Sequence, residues 1–170
     1  MIASIIAGLE LKDEDTIKII KVLIKNGADV NISIKLPDQT LKQPALMSPL
    51  MILMWYQNYD MEIVKLLIEK NADINFKNEF GMNPLYWSIC NPYGTERAKF
   101  LINCGADIDI MVNEEKIKGT GVLNSITKGG VATTPLQLAS KIGKIEIVKE
   151  LLSNGANTKI KNGVIFFFFF

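Results

Sequence analysis

Polar and apolar positions along this chain fall into a pattern that returns four times. Runs with apolar residues at helical spacing, IKIIKV (17–22), EIVKL (62–66), ERAKF (96–100) and EIVKE (146–150), each lead into a closing segment of one type. The closings read LIKNGADVN (23–31), LIEKNADIN (67–75), LINCGADID (101–109) and LLSNGANTK (151–159). Three units also share an opening: SPLMIL (48–53), NPLYWS (83–88) and TPLQLA (134–139); a degenerate copy begins at Ser4. Ser48, Asn83 and Thr134 are N-cap residue types, and each precedes a proline, which loses no hydrogen bond in a first helical turn. Each predicts the start of a short helix. A second helix follows, with Ile63, Val64 and Leu67 in one copy and Ile147, Val148 and Leu151 in another on its apolar face. It stops at Gly27, Asn71, Gly105 or Gly155, the residue types that tolerate a left-handed C-terminal cap. The small Ala28, Ala72, Ala106 and Ala156 come next, then a short extended segment. The predicted unit is helix, turn, helix, hairpin.

This unit resembles the ankyrin repeat, whose pattern opens on Gly-x-Thr-Pro-Leu-His-x-Ala and closes on Leu-Leu-x-x-Gly-Ala-Asp-x-Asn. The close is matched four times, and the opening best at TTPLQLA (133–139) and FGMNPLYWS (80–88). The likeness spans roughly residues 4–163. It implies an all-α solenoid of about four helix-turn-helix units linked by β-hairpin fingers, two of them with insertions. As one domain over 1–163, the repeats fall at about 1–31, 45–77, 78–110 and 131–163. The family histidine after Pro-Leu, which links neighbouring repeats, is replaced by Met51, Tyr86 and Gln137, and the small alanine by Leu53 and Ser88 in two copies.

Spacing locates the insertions. Successive Asp/Asn positions 29, 73, 107 and 157 lie 44, 34 and 50 apart, against a family unit of ~33. Asn75 to Asn83 spans 8 residues, whereas Asn31 to Ser48 spans 17 and Asp109 to Thr134 spans 25. The insert loops are therefore 32–47 and 111–131, lengths usually reserved for functional or unstructured segments. The N-terminal repeat lacks its hairpin and reads as a cap.

At the other end, five of the eight phenylalanines are Phe166–Phe170. The family pattern leads one to expect a further Pro-Leu opening about ten residues after Asn157. The tail 164–170 reads either as an apolar anchor or docking peptide, or as the product of truncation or frameshift. A composition rich in Ile, Lys and Asn, with Arg97 the one arginine, points to an A/T-rich source and to the second reading.

Composition changes the picture by exclusion. Charge is balanced at +1, with 19 basic and 18 acidic residues, so neither a nucleic-acid footprint nor an acidic tail is present. Histidine is absent, which removes imidazole bases, Ser-His-Asp and Cys-His chemistry and His-bound zinc. Cys90 and Cys104 form no CxxC motif and read as two small buried thiols. Trp87 aligns with a core position. TKGGVATT (127–134) lacks the lysine-serine ending of a phosphate loop, EEKIK (114–118) reads as a solvated charge cluster, and Asp13, Glu14 and Asp15 read as an acidic lead-in to a helix N-terminus. No stretch approaches the ~20 apolar residues of a membrane span, and no signal peptide is recognisable. A cytoplasmic location is expected, with no catalytic residue, no metal, no cofactor, no nucleic acid and no small-molecule substrate.

Because stacking consumes the core positions, the free surface is the concave one, formed by hairpin tips and the ends of first helices. The resemblance places its contact positions at Trp55 and Tyr56, then Glu79, Phe80, Met82, Cys90 and Asn91, then Val131, Thr133, Lys141 and Ile142. Trp55, Tyr56, Phe80 and Met82 would form an apolar patch across two adjacent units, suited to a protein partner, and Glu79 and Lys141 are the further partner-binding candidates. The competing account packs Trp55 and Tyr56 under the 31–47 insert. Two functions are carried forward: a protein-protein interaction module, or a regulatory or targeting fragment of a longer ankyrin-containing enzyme or effector.

Overall fold

The openings fold as their cap chemistry requires. Thr134 accepts from the Gln137 amide at 3.3 Å while Gln137 reaches back to the Thr134 N–H, closing a capping box. Asn83 accepts from the Tyr86 amide at 2.9 Å, and Ser48 from the Met51 amide at 3.3 Å. In each case proline stands at the first helical position. The computed structural model describes residues 2–8, 14–36, 45–55, 60–112 and 134–160. Within them the elements are α1 (Ile2–Gly8), α2 (Glu14–Lys25), β1 (Ile34–Leu36), β2 (Ala45–Met47), α3 (Pro49–Trp55), α4 (Met61–Glu69), α5 (Pro84–Cys90), α6 (Thr95–Asn103), α7 (Pro135–Lys141) and α8 (Ile145–Ser153).

The outer helices stop as the closings predict. Asn71 has φ 62°, and Gly27, Gly105 and Gly155 have φ 85°, 86° and 83°. At each stop the following alanine amide bonds back over the turn, Ala28 to Leu23 O, Ala72 to Leu67 O, Ala106 to Leu101 O and Ala156 to Leu151 O, all within 2.9–3.0 Å. This is the Schellman arrangement, and it needs a residue that accepts the left-handed region. Glu14 and Asp15 occupy the first turn of α2, where negative charge suits the helix dipole; Asp13 lies outside the described residues.

The helices pair as α1/α2, α3/α4, α5/α6 and α7/α8, and the pairs stack in chain order. α1, α3, α5 and α7 form one row; in the other, α2 packs on α4 and α6 on α8. A single apolar core runs from Ile2 and Ile6 through Ile20, Leu50, Ile63, Leu85, Trp87 and Leu101 to Leu138, Ile147 and Leu151.

Two expectations are corrected here. Among the described residues, strands occur only at the first junction, where Ile34, Lys35 and Leu36 pair antiparallel with Met47, Leu46 and Ala45. The junction at 73–82 and the described part of the third junction, 107–112, show no strand pairing. The first junction has the added length for a ribbon on both sides, and the eight-residue link does not. The second correction concerns Cys104. It is exposed at the end of α6, while Cys90 is buried, and neither forms a disulfide.

Candidate functional site

The fingers are built from the recurring Asp-x-Asn close. In each unit the Asp or Asn side chain accepts from the amide two residues on: Asp29 from Asn31, Asp73 from Asn75, Asp107 from Asp109 and Asn157 from Lys159, at 2.8–3.1 Å. The residue at the end of that turn then accepts from the next unit. Asn31 Oδ1 takes the Asp73 amide at 2.8 Å, Asn75 Oδ1 the Asp107 amide at 2.7 Å, and Asp109 Oδ1 the Asn157 amide at 2.9 Å. A side-chain ladder thus sets the spacing between fingers. Lys77 and Asp107 add an ion pair at 3.3 Å, and Glu79 Oε2 accepts the Leu46 amide of β2 at 3.0 Å.

The two central helices of the inner row are closed. All seven residues of α5 are buried, and so are six of the seven in α3, with Trp55 partly exposed. The sequences PLMILMW and PLYWSIC present almost no polar side, and a helix apolar all round is a buried helix. Trp55 packs edge-on against Trp87 with ring centroids 5.2 Å apart and planes at 82°. Ser88, in place of the small alanine, turns its hydroxyl back to Leu85 O at 2.7 Å; Leu53, at the same position in the previous unit, is fully buried.

Polar groups at the end of this row finish helices in trans. Asn91, 1% exposed, donates through Nδ2 to Met54 O at 3.1 Å and Trp55 O at 2.7 Å. Arg97, also 1% exposed, donates to Met54 O at 2.9 Å and Leu53 O at 3.3 Å. These carbonyls are the last of α3, where a cation also suits the dipole. One unit further, Lys144 donates to the Asn91 carbonyl. Gln137 Nε2 reaches Ile160 O at 2.9 Å and Asn83 Nδ2 reaches Asp107 O at 3.2 Å, so the openings still bond to the fingers without the family histidine. Burial pushes the Cys90 thiol up to about 12, against the pull of the Lys144 ammonium. Burial in turn lowers Lys144. A thiol so placed stays protonated and is no nucleophile.

The predicted contact residues divide. Phe80 and Met82 are corrected from patch to core, at 2% and 0% exposure. The cause is local: Asn78 Oδ1 accepts both the Phe80 and the Met82 amides, at 3.1 and 3.0 Å, while the Asn78 amide bonds to Met82 O. That closed turn directs both side chains inward. Cys90 and Asn91 are corrected likewise, being buried at the end of α5. Trp55 keeps part of its surface while packing on Trp87. Glu79 is exposed and bonded to β2, and Lys141 and Ile142 are half-buried at the end of α7. Tyr56, Val131 and Thr133 lie outside the described residues, as do 37–44, 113–133 with EEKIK and nearly all of TKGGVATT, and the tail 164–170. Sequence reasoning missed Ile32 and Met111, finger residues at 49% and 59% exposure. An isoleucine and a methionine in polar turns were the available signal.

No helix among the described residues is long and apolar enough to cross a membrane. No curated protein matches the chain. A family model described as ankyrin repeats in three copies matches residues 11–112 and, in a second placement, 50–162. Together with the stacked helix pairs and the finger ladder, this match shows that the chain belongs to the ankyrin-repeat family.

Proposed function

We propose that this chain binds another protein through the tips of its finger row. Ankyrin repeats are in general protein-interaction modules and are typically non-catalytic. The observation that carries the reading is the contrast between floor and fingers. The inner helices α3 and α5 offer almost no accessible side chain, whereas Ile32 and Met111 stand out on the first and third fingers at 49% and 59% exposure. Apolar side chains held on a rigid ladder lose little entropy on docking. Trp55 and Lys141 keep part of their surface in the inner row, and Glu79 fixes the first finger from its exposed position.

The test is capture with the immobilised chain from its native source, identified by mass spectrometry. Ile32→Asp with Met111→Asp is expected to abolish the captured partner. Ile145→Asp, at an exposed site on α8, is expected to retain it. An unchanged partner set in the double variant would overturn the reading.

A further inference from the structure

The β1 strand begins the finger row, and the phase of its ladder decides what its outer edge offers. The Leu46 N–H donates to Glu79 Oε2 at 3.0 Å, so it points away from β1. In an antiparallel pair, residues opposite each other either exchange both bonds or turn both backbone groups outward. Lys35 stands opposite Leu46. Its N–H and C=O therefore face away from β2, and Ile34/Met47 and Leu36/Ala45 carry the ladder bonds. Glu79 covers the corresponding edge on β2. Nothing among the described residues bonds the Lys35 edge or pairs its ammonium. Ile34 and Leu36 turn to the core on one face, Ile32 is exposed at 49% on that same side of the alternation, and Lys35 is exposed on the other face.

Resting on the reading of this chain as a protein-binding module, we propose that β1 is a docking edge for an extended acidic segment of a partner protein, added as a third strand beside Lys35. The backbone of Lys35 supplies one donor and one acceptor to the incoming strand. The residue opposite it is acidic, because its side chain meets the unpaired ammonium on the same face. Its neighbours are apolar, since they fall beside Ile34 and Leu36. A second copy of this chain is disfavoured as the occupant: pairing β1 with β1 brings two Lys35 side chains together, and like charges opposite each other repel.

The probes are capped nine-residue peptides alternating valine with threonine, with glutamate or lysine at the centre, titrated into the full chain and followed by amide NMR shifts. The glutamate peptide is expected to bind at least tenfold tighter than the lysine peptide, with the largest shifts at residues 32–36. N-methylation of its central amide, which donates to Lys35 O, abolishes binding, and N-methylation of the adjacent amide leaves it intact. Lys35→Glu reverses the preference. Lys35→Pro removes the outward donor without touching a ladder bond and weakens binding at least tenfold with an unchanged circular dichroism spectrum. No shift at β1 up to millimolar peptide overturns the proposal, as does binding indifferent to N-methylation, or a dimer of the wild-type chain that Lys35→Pro dissociates. Should Lys35→Pro keep a captured partner that Met111→Asp loses, the edge fails and the interaction reading stands; should neither lose it, both fail.

Discussion

Asn91→Ala removes three hydrogen bonds from the junction of the second and third repeats. Nδ2 no longer reaches Met54 O and Trp55 O, and Oδ1 no longer holds the Tyr93 amide at 2.9 Å. At 1% exposure, the site leaves little room for water to take over. Arg97 still serves Met54 O, so the Trp55 carbonyl bears the greater loss. At about 1 kcal/mol per bond, with an added penalty for a carbonyl left without its donor, the variant loses roughly 3 kcal/mol. Urea unfolding read by tryptophan fluorescence is the assay, because Trp55 and Trp87 meet at this junction. With a slope of about 1–3 kcal/mol/M, the midpoint falls by about 1–3 M. Asn154→Ala is the control. Its amide also bonds to a helix carbonyl, Glu150 O at 2.9 Å, but on an exposed turn, and a change within about 0.5 kcal/mol is expected. The double variant Asn91→Ala, Arg97→Ala should depart from additivity, because both side chains serve Met54 O. Equal losses at Asn91 and Asn154, or a loss below about 1 kcal/mol at Asn91, would refute the trans-capping argument.

Asn71→Gly relieves the left-handed strain at φ 62° and should stabilise by roughly 0.5–1 kcal/mol in the same assay; Asn71→Ala should destabilise. Gly94→Ala places a Cβ 1.8 Å from Ser88 O, a backbone atom that cannot swing aside, and should cost roughly 3 kcal/mol or abolish folding, seen as a collapse of the thermal midpoint. Asn75→Ala strips the Asp107 amide of its acceptor and should cost about 1 kcal/mol by denaturant titration. Iodoacetamide at pH 8 should label Cys104 and spare Cys90, read by mass spectrometry. Because the Cys90 thiol is raised from 9.0 to about 12, its contribution is whole below pH 9 and fades between about 9 and 12; Cys90→Ala should lose less stability than wild type across that window.

What the sequence disclosed and what it hid follow from range. The caps at Ser48, Asn83 and Thr134 and the stops at Gly27, Asn71, Gly105 and Gly155 are local devices, and each reads from its own few residues. The Asp-x-Asn recurrence marked the finger residues. Its second use, across to the next finger, depends on stacking and joins residues 42, 32 and 48 positions apart. Phe80 and Met82 were assigned to the surface by alignment because the inward turn rests on Asn78, whose side chain acts on the backbone of the next residues. The closed floor had a signal that went unused, since PLMILMW has no polar side at all. The clamp on α3 was out of reach. Nothing in the local pattern of Asn91 or Arg97 names a helix 36 to 44 residues upstream, although a lone arginine in a lysine-rich chain was a hint.

The clamp sets an order of events during synthesis. The chain leaves the ribosome with Leu53, Met54 and Trp55 first, and their carbonyls wait for groups not yet translated. Until Asn91 and then Arg97 have emerged, the last carbonyls of α3 lack these donors, so the second repeat gains its full set of bonds together with the third and not ahead of it.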